Sequence, residues 1–149
     1  MRDAVSRTQV KRVISPAAGA GDNTAQVGQI IDHQGYDAAT YVIATGTIAD
    51  ADATFTVLLE EGDVSNLSDA AAVADADMVS QTLGTAPETA AAFDFSKDDQ
   101  VRKLGYIGSK RYTRLTITPA ANTGTWGIGA VCVLSQRSPG TALTAQASA

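Results

Sequence analysis

Residues 53–60 alternate strictly: Phe55, Val57 and Leu59 fall on one side, and Thr54, Thr56 and Leu58 on the other. A period of two marks a half-buried β-strand and excludes an amphipathic helix. Glu61-Gly62-Asp63 then breaks the run with residues suited to a turn. The same grammar recurs along the chain. Residues 24–33, with Val27, Ile30 and Ile31, end at Gln34-Gly35, and the β-branched stretch 39–48 ends at Ala49-Asp50-Ala51-Asp52. Residues 101–108, 111–118 and 125–134 each read as strands, separated by Gly108-Ser109 and by the longer turn 119–124. In the last strand Trp126, Ile128, Ala130, Cys132 and Leu134 share one face. Gly127 and Gly129 lie on the other, where missing side chains admit a close neighbour.

The remaining segments are less regular. Residues 1–12 read as a polar arm and 15–23 as a small-residue linker, so 1–23 is expected to lie outside the domain. Residues 66–74 suit a short helix on propensity, or a loop with short strands near 70–73 and 78–83; the second is favoured. Pro87 and the alanines that follow it suggest a connection, and residues 136–149 a polar tail. About eight short strands with regular turns point to an all-β sandwich, jelly-roll-like, over residues 24–135, with extended N- and C-terminal arms.

Composition narrows the function classes. The 149 residues are 44% hydrophobic but only 5% aromatic, so the core is built from aliphatic side chains and burial against partners is expected to help. No apolar run approaches the roughly 20 residues that span a bilayer, and residues 1–12 do not read as a signal peptide, so synthesis in the cytoplasm is expected. Net charge is −5, unevenly spread. Residues 13–96 contain no Lys or Arg, whereas Arg102, Lys103, Lys110, Arg111, Arg114 and Arg137 follow Asp99 with no acid among them. The arm carries Arg2, Arg7, Lys11 and Arg12 against Asp3 alone. These groups either neutralise one another across neighbouring strands or form acidic and basic faces for docking; both can hold at once.

Catalytic sets are missing from the pattern. His33 is the single histidine, no serine sits in a Gly-x-Ser-x-Gly elbow, and Cys132 lies in the most hydrophobic strand, where an inert thiol is expected. A lone cysteine also excludes an internal disulfide and a cysteine-based metal site. Asp50/Asp52, Glu60/Glu61/Asp63 and Asp75/Asp77 fall at turns, where carboxylates commonly bond their own backbone, and none matches a calcium loop. No cofactor is expected. The stretch 103–114 interleaves Tyr106 and Tyr112 with cations, like a single-strand nucleic-acid platform, but the chain is acidic and direct nucleic-acid binding is not expected.

At 55–63 (FTVLLEEGD) and 101–115 (VRKLGYIGSKRYTRL) the chain resembles the head decoration, or cement, proteins of tailed bacteriophages, a likeness extending over roughly residues 24–134. The resemblance implies a jelly-roll-like sandwich on the outside of an icosahedral shell, bridging neighbouring major capsid protein subunits against internal DNA pressure. It also implies a symmetric homo-oligomer, dimer or trimer, located on the virion exterior. Arg2, Arg7, Lys11 and Arg12 of the arm and Lys103, Lys110, Arg111 and Arg114 of the basic hairpin are the expected capsid contacts. The alternatives are a tail-tube or head-completion protein, or a small recognition module for carbohydrate or host surface. A sugar-binding module would draw on Trp126, Tyr36, Tyr41, Tyr106 and Tyr112.

Overall fold

A computed structural model describes residues 5–19 and 21–137. The chain runs as β1 (Gln9–Gly19), β2 (Gln26–Val27), β3 (Ile31–Asp32), β4 (Tyr36–Ile48), β5 (Thr54–Gly62), β6 (Ala71–Ala72) and β7 (Met78–Ser80), then α1 (Pro87–Ala91), β8 (Phe93–Asp94), β9 (Val101–Tyr106), β10 (Tyr112–Ala120) and β11 (Trp126–Arg137). Two antiparallel sheets pack face to face, so the all-β sandwich expected from the alternation is the fold. One sheet has five strands in the order β1-β11-β4-β9-β7. The other has six, running β2-β10-β5-β6, with β3 also on β10 and β8 also on β5.

The pattern in β5 dictates its two environments: Phe55, Val57 and Leu59 are buried while Thr54, Thr56 and Leu58 are exposed. Between the sheets, Tyr41, Ile43 and Leu104 of the first meet Leu59, Leu115 and Ile117 of the second, all fully buried. Each such side chain contributes roughly 1.5–3 kcal/mol on leaving water. Three of the few rings cluster at one place: Phe55 stacks on Phe93 at 4.8 Å and meets the edge of Trp126 at 6.1 Å.

The structure corrects the arm and linker expected over 1–23. Residues 9–19 form β1, an edge strand paired along β11 from Gln9–Leu134 to Gly19–Trp126, and Val13 and Ile14 join the core. Ser15-Pro16, which reads as linker chemistry, falls where the register shifts; an edge strand with irregular pairing tolerates a proline that cannot donate. The apolar positions of β1 are irregularly spaced because of those shifts, which hid the strand. The end of the expected C-terminal arm is corrected likewise, since β11 continues through Gln136 and Arg137; the rest of that tail lies outside the described residues.

In the middle of the chain, β6 and β7 match the favoured loop-and-strand reading, and no helix forms over 66–74. A five-residue helix appears instead at α1, with Pro87 at its start, where a missing N–H costs nothing. Pro87, Ala90 and Ala91 are buried, and Glu88 Oε1 accepts from the Leu59 N–H at 2.6 Å, tying the helix to β5.

Candidate functional site

The basic hairpin is largely satisfied within the chain. Lys110 Nζ lies 2.6 Å from Asp63 Oδ2, which raises the lysine's proton affinity. The Arg111 guanidinium grips Asp32 with two hydrogen bonds of 3.0 and 2.8 Å and donates a third to Gln34 Oε1 at 2.6 Å. That contact holds the Asp32 carboxyl below its usual range. Arg114 stands directly opposite Glu60 in the β10–β5 ladder and reaches its Oε2 at 2.8 Å. For these three cations the neutralising reading of the charge pattern is the observed one.

The other expected contacts scatter. Arg7 is exposed in a short 3-10 helix, Val5–Arg7, before β1, and Lys11 and Arg12 are half-buried in β1. Arg2 lies outside the described residues. Lys103 is exposed on β9, and among the described residues no ion pair engages it. The seven of these eight residues that are described therefore do not form one patch.

What brings Arg12 and Lys103 together is the outward face of the five-stranded sheet. Strand register places Arg12 opposite Val131, Val131 opposite Val42, and Val42 opposite Lys103, in one row across four strands. A neighbouring row runs Val10, Val133, Thr40, Gly105 and Val79, and a third Gly129, Ala44 and Val101. Val10, Val79 and Val101 are each at least half exposed (53%, 50% and 61%), so the face is apolar and open. A groove of about 530 Å³ crosses it, lined by Arg12, Pro16, Val42, Gly46, Gly127 and Val131, among others. Gly129 forms part of the groove floor, and a Cβ there would lie only 3.2–3.4 Å from Pro16, a tight contact that Pro16 would have to relieve by a few tenths of an ångström. A second recess of about 270 Å³ lies between β4, β9 and β7 beside Lys103.

This face was missed in the sequence, although its signal is present. Apart from Tyr41, residues 40–46 and 127–133 are small or β-branched at both parities and carry no charge, so neither side of those strands is marked as polar.

The single histidine is structural. His33 Nε2 is 2.5 Å from Thr113 Oγ1, and the same hydroxyl bonds the Tyr41 phenol. Tyr41 in turn faces the Cys132 thiol, so the chain of contacts runs from the β3–β4 turn through β10 to β4 and β11. Burial lowers the His33 pKa to about 4, against a smaller opposing effect of Asp32, and pushes Cys132 up to about 12. An imidazole kept neutral and a buried thiol kept protonated hold the sheets together and present no accessible nucleophile. Of the rings a sugar platform would need, Trp126, Tyr41 and Tyr106 are buried, and only Tyr36 and Tyr112 are half-buried.

Among the described residues no cluster of three or more His, Cys, Asp or Glu is placed to hold a metal ion, and no helix is long and apolar enough to cross a membrane. No family model matches the chain, and no curated protein matches it.

Proposed function

We propose that this protein is a non-enzymatic structural component of a tailed-phage virion, bound to the outside of the icosahedral capsid and cementing neighbouring major capsid protein subunits. The carrying observation is the contrast between a chain whose polar groups are mostly satisfied internally and a five-stranded sheet face left apolar and open to solvent. An enzyme is expected to concentrate unsatisfied, accessible polar chemistry in a cleft; a docking protein is expected to carry an unpartnered surface.

Strand order supports the same reading. The first and last long strands, β1 and β11, are neighbours in a sheet completed by β4, β9 and β7, while β2, β10, β5 and β6 run through the other. Apart from the steps β2–β3 and β5–β6, each strand lies in the sheet opposite its predecessor, in the manner of a jelly roll, an architecture used by capsid-associated and lectin domains alike. The burial of Trp126, Tyr41 and Tyr106 favours the capsid role over a carbohydrate-binding module. A homo-oligomer on the shell is part of this proposal.

The test is co-sedimentation of the purified chain with phage heads stripped of their minor proteins. Saturable binding at a fixed ratio to the major capsid protein, with heads that survive heating better, is the expected result. Heads that leave the chain in the supernatant at every concentration overturn the proposal.

A further inference from the structure

We infer that the outward face of the β1-β11-β4-β9-β7 sheet is the surface that seats on the capsid, and that its occupant is an apolar stretch of the major capsid protein bearing a carboxylate that meets Lys103. The inference rests on the capsid reading above and assigns it a face and a partner chemistry.

Three observations carry it. The first is shape. The groove runs past Val131 and along Gly46 and Gly127, whose bare backbones face each other, and the recess beside Lys103 holds Gly105 under the Val79 side chain, so the face has two depressions that an occupant's side chains can fill. The second is polarity. Apart from Arg12 and Lys103 at the ends of one row, the three rows that cross the face contain valine, alanine, glycine and one threonine, and Val101 and Ile107 are 61% and 60% exposed at the β9 margin. Apolar area of this extent in water is stabilised by a partner that removes it, at roughly 25 cal/mol per Å².

The third is charge. Four of the five strands, β1, β11, β9 and β7, contain no Asp or Glu, and β4 contains only Asp37, at its beginning. Asp98 and Asp99 lie in the loop entering β9 at one end of the groove, where the Asp99 N–H donates to Gly46 O at 3.3 Å. Lys103 and Arg12 occupy the two ends of one row, three strand spacings or roughly 14 Å apart. A chain of net charge −5 repels an acidic partner over much of its surface, whereas on this face Lys103 is an exposed cation with no ion pair among the described residues.

The experiment compares variants of the full chain by co-sedimentation with stripped heads, with circular dichroism and thermal melts to verify folding. Val101→Glu with Lys103→Glu alters two exposed side chains of the face, and Leu58→Glu alters an exposed side chain of the opposite sheet. The expected result is at least a tenfold loss of head binding for the double variant and unchanged binding for Leu58→Glu. Lys103→Gln alone should weaken binding several-fold and flatten its dependence on salt. If the wild type binds heads and the double variant, still folded, binds equally well, the face is wrong while the capsid reading stands. If Lys103→Gln is indistinguishable from wild type, the carboxylate is not part of the occupant. If the double variant keeps head binding but turns a sedimenting oligomer into a monomer, the occupant is a second copy and the inference falls. A wild type that fails to bind heads removes both the reading and the inference.

Discussion

The two outward faces of the sandwich are built from the same β-branched vocabulary and end in opposite states. On the six-stranded sheet, Thr118 faces Thr56 and Thr116 faces Leu58 across the β10–β5 ladder, and Arg114 faces Glu60. Hydroxyls and an ion pair dominate that surface, and the apolar side chains Leu58 and Val27 stand exposed between them. On the five-stranded sheet the corresponding positions hold Val133 against Thr40, Val131 against Val42 and Gly129 against Ala44. Both sheets satisfy the alternation rule on the side that faces the core. The difference lies only in what the remaining positions carry, and the lesson is that half of a strand's residues are free of the fold and available to function.

If that account is right, the inward positions of the two sheets are equivalent, and this gives the largest predicted effect. Ile43 of the five-stranded sheet and Leu115 of the six-stranded sheet are both fully buried in one core. Ile43→Ala and Leu115→Ala should each cost about 2–5 kcal/mol of unfolding free energy, read from urea titrations. A variant that loses less than about 1 kcal/mol would break the comparison, since one sheet would then contribute little to the shared core.

The next effect concerns what joins the sheets. His33 reaches Thr113 of β10, which bonds Tyr41 of β4, and burial holds the imidazole neutral with a pKa of about 4. The unfolded chain takes up the proton near 6.5, so between these values the unfolded state binds more protons than the folded one. This contribution is fully present above pH 6.5 and is lost as pH falls towards 4, by up to about 3 kcal/mol. Asp32, whose pKa is lowered chiefly by Arg111, adds its own loss only below the ordinary carboxylate range, so the two windows separate. His33→Gln should flatten stability between pH 6.5 and 4 while leaving the steeper fall at lower pH. An unaltered slope over that interval in the variant would show that His33 does not link the sheets to pH.

The sandwich was legible because β5, β10 and β11 carry clean period-two patterns ending at turn residues, and local chemistry determined each of them. Strand β1 was not, since its register shifts around Arg12, Ile14 and Ala17 destroy the period on which such a reading depends. Helix α1 was hidden for another reason: five residues are too few for a helical period, and its stability comes from docking onto β5. Charge was legible as segregation but not as pairing. Lys110, Arg111 and Arg114 find Asp63, Asp32 and Glu60 from 47 to 79 residues away, and only strand order decides such meetings. Lys103 and Arg12 stand out in the sequence by their cationic character, but their shared row depends on a pairing of four strands that no local pattern encodes.

The smallest effect separates the two kinds of cation. Arg114→Ala removes a partner from Glu60 in a half-buried cross-strand pair, and should cost about 0.5–1 kcal/mol of stability. Lys103→Ala removes an exposed ammonium that no ion pair engages among the described residues, and should change stability by less than about 0.5 kcal/mol. Head binding should rank them in the opposite order, with Lys103→Ala the weaker binder. A charge swap, Arg114→Glu with Glu60→Arg, should recover part of the lost stability, because the two side chains stay opposite each other in the same register. If instead both alanine variants lose binding equally while keeping full stability, the hairpin cations reach the partner as well, and the division between a self-satisfied sheet and a docking sheet fails.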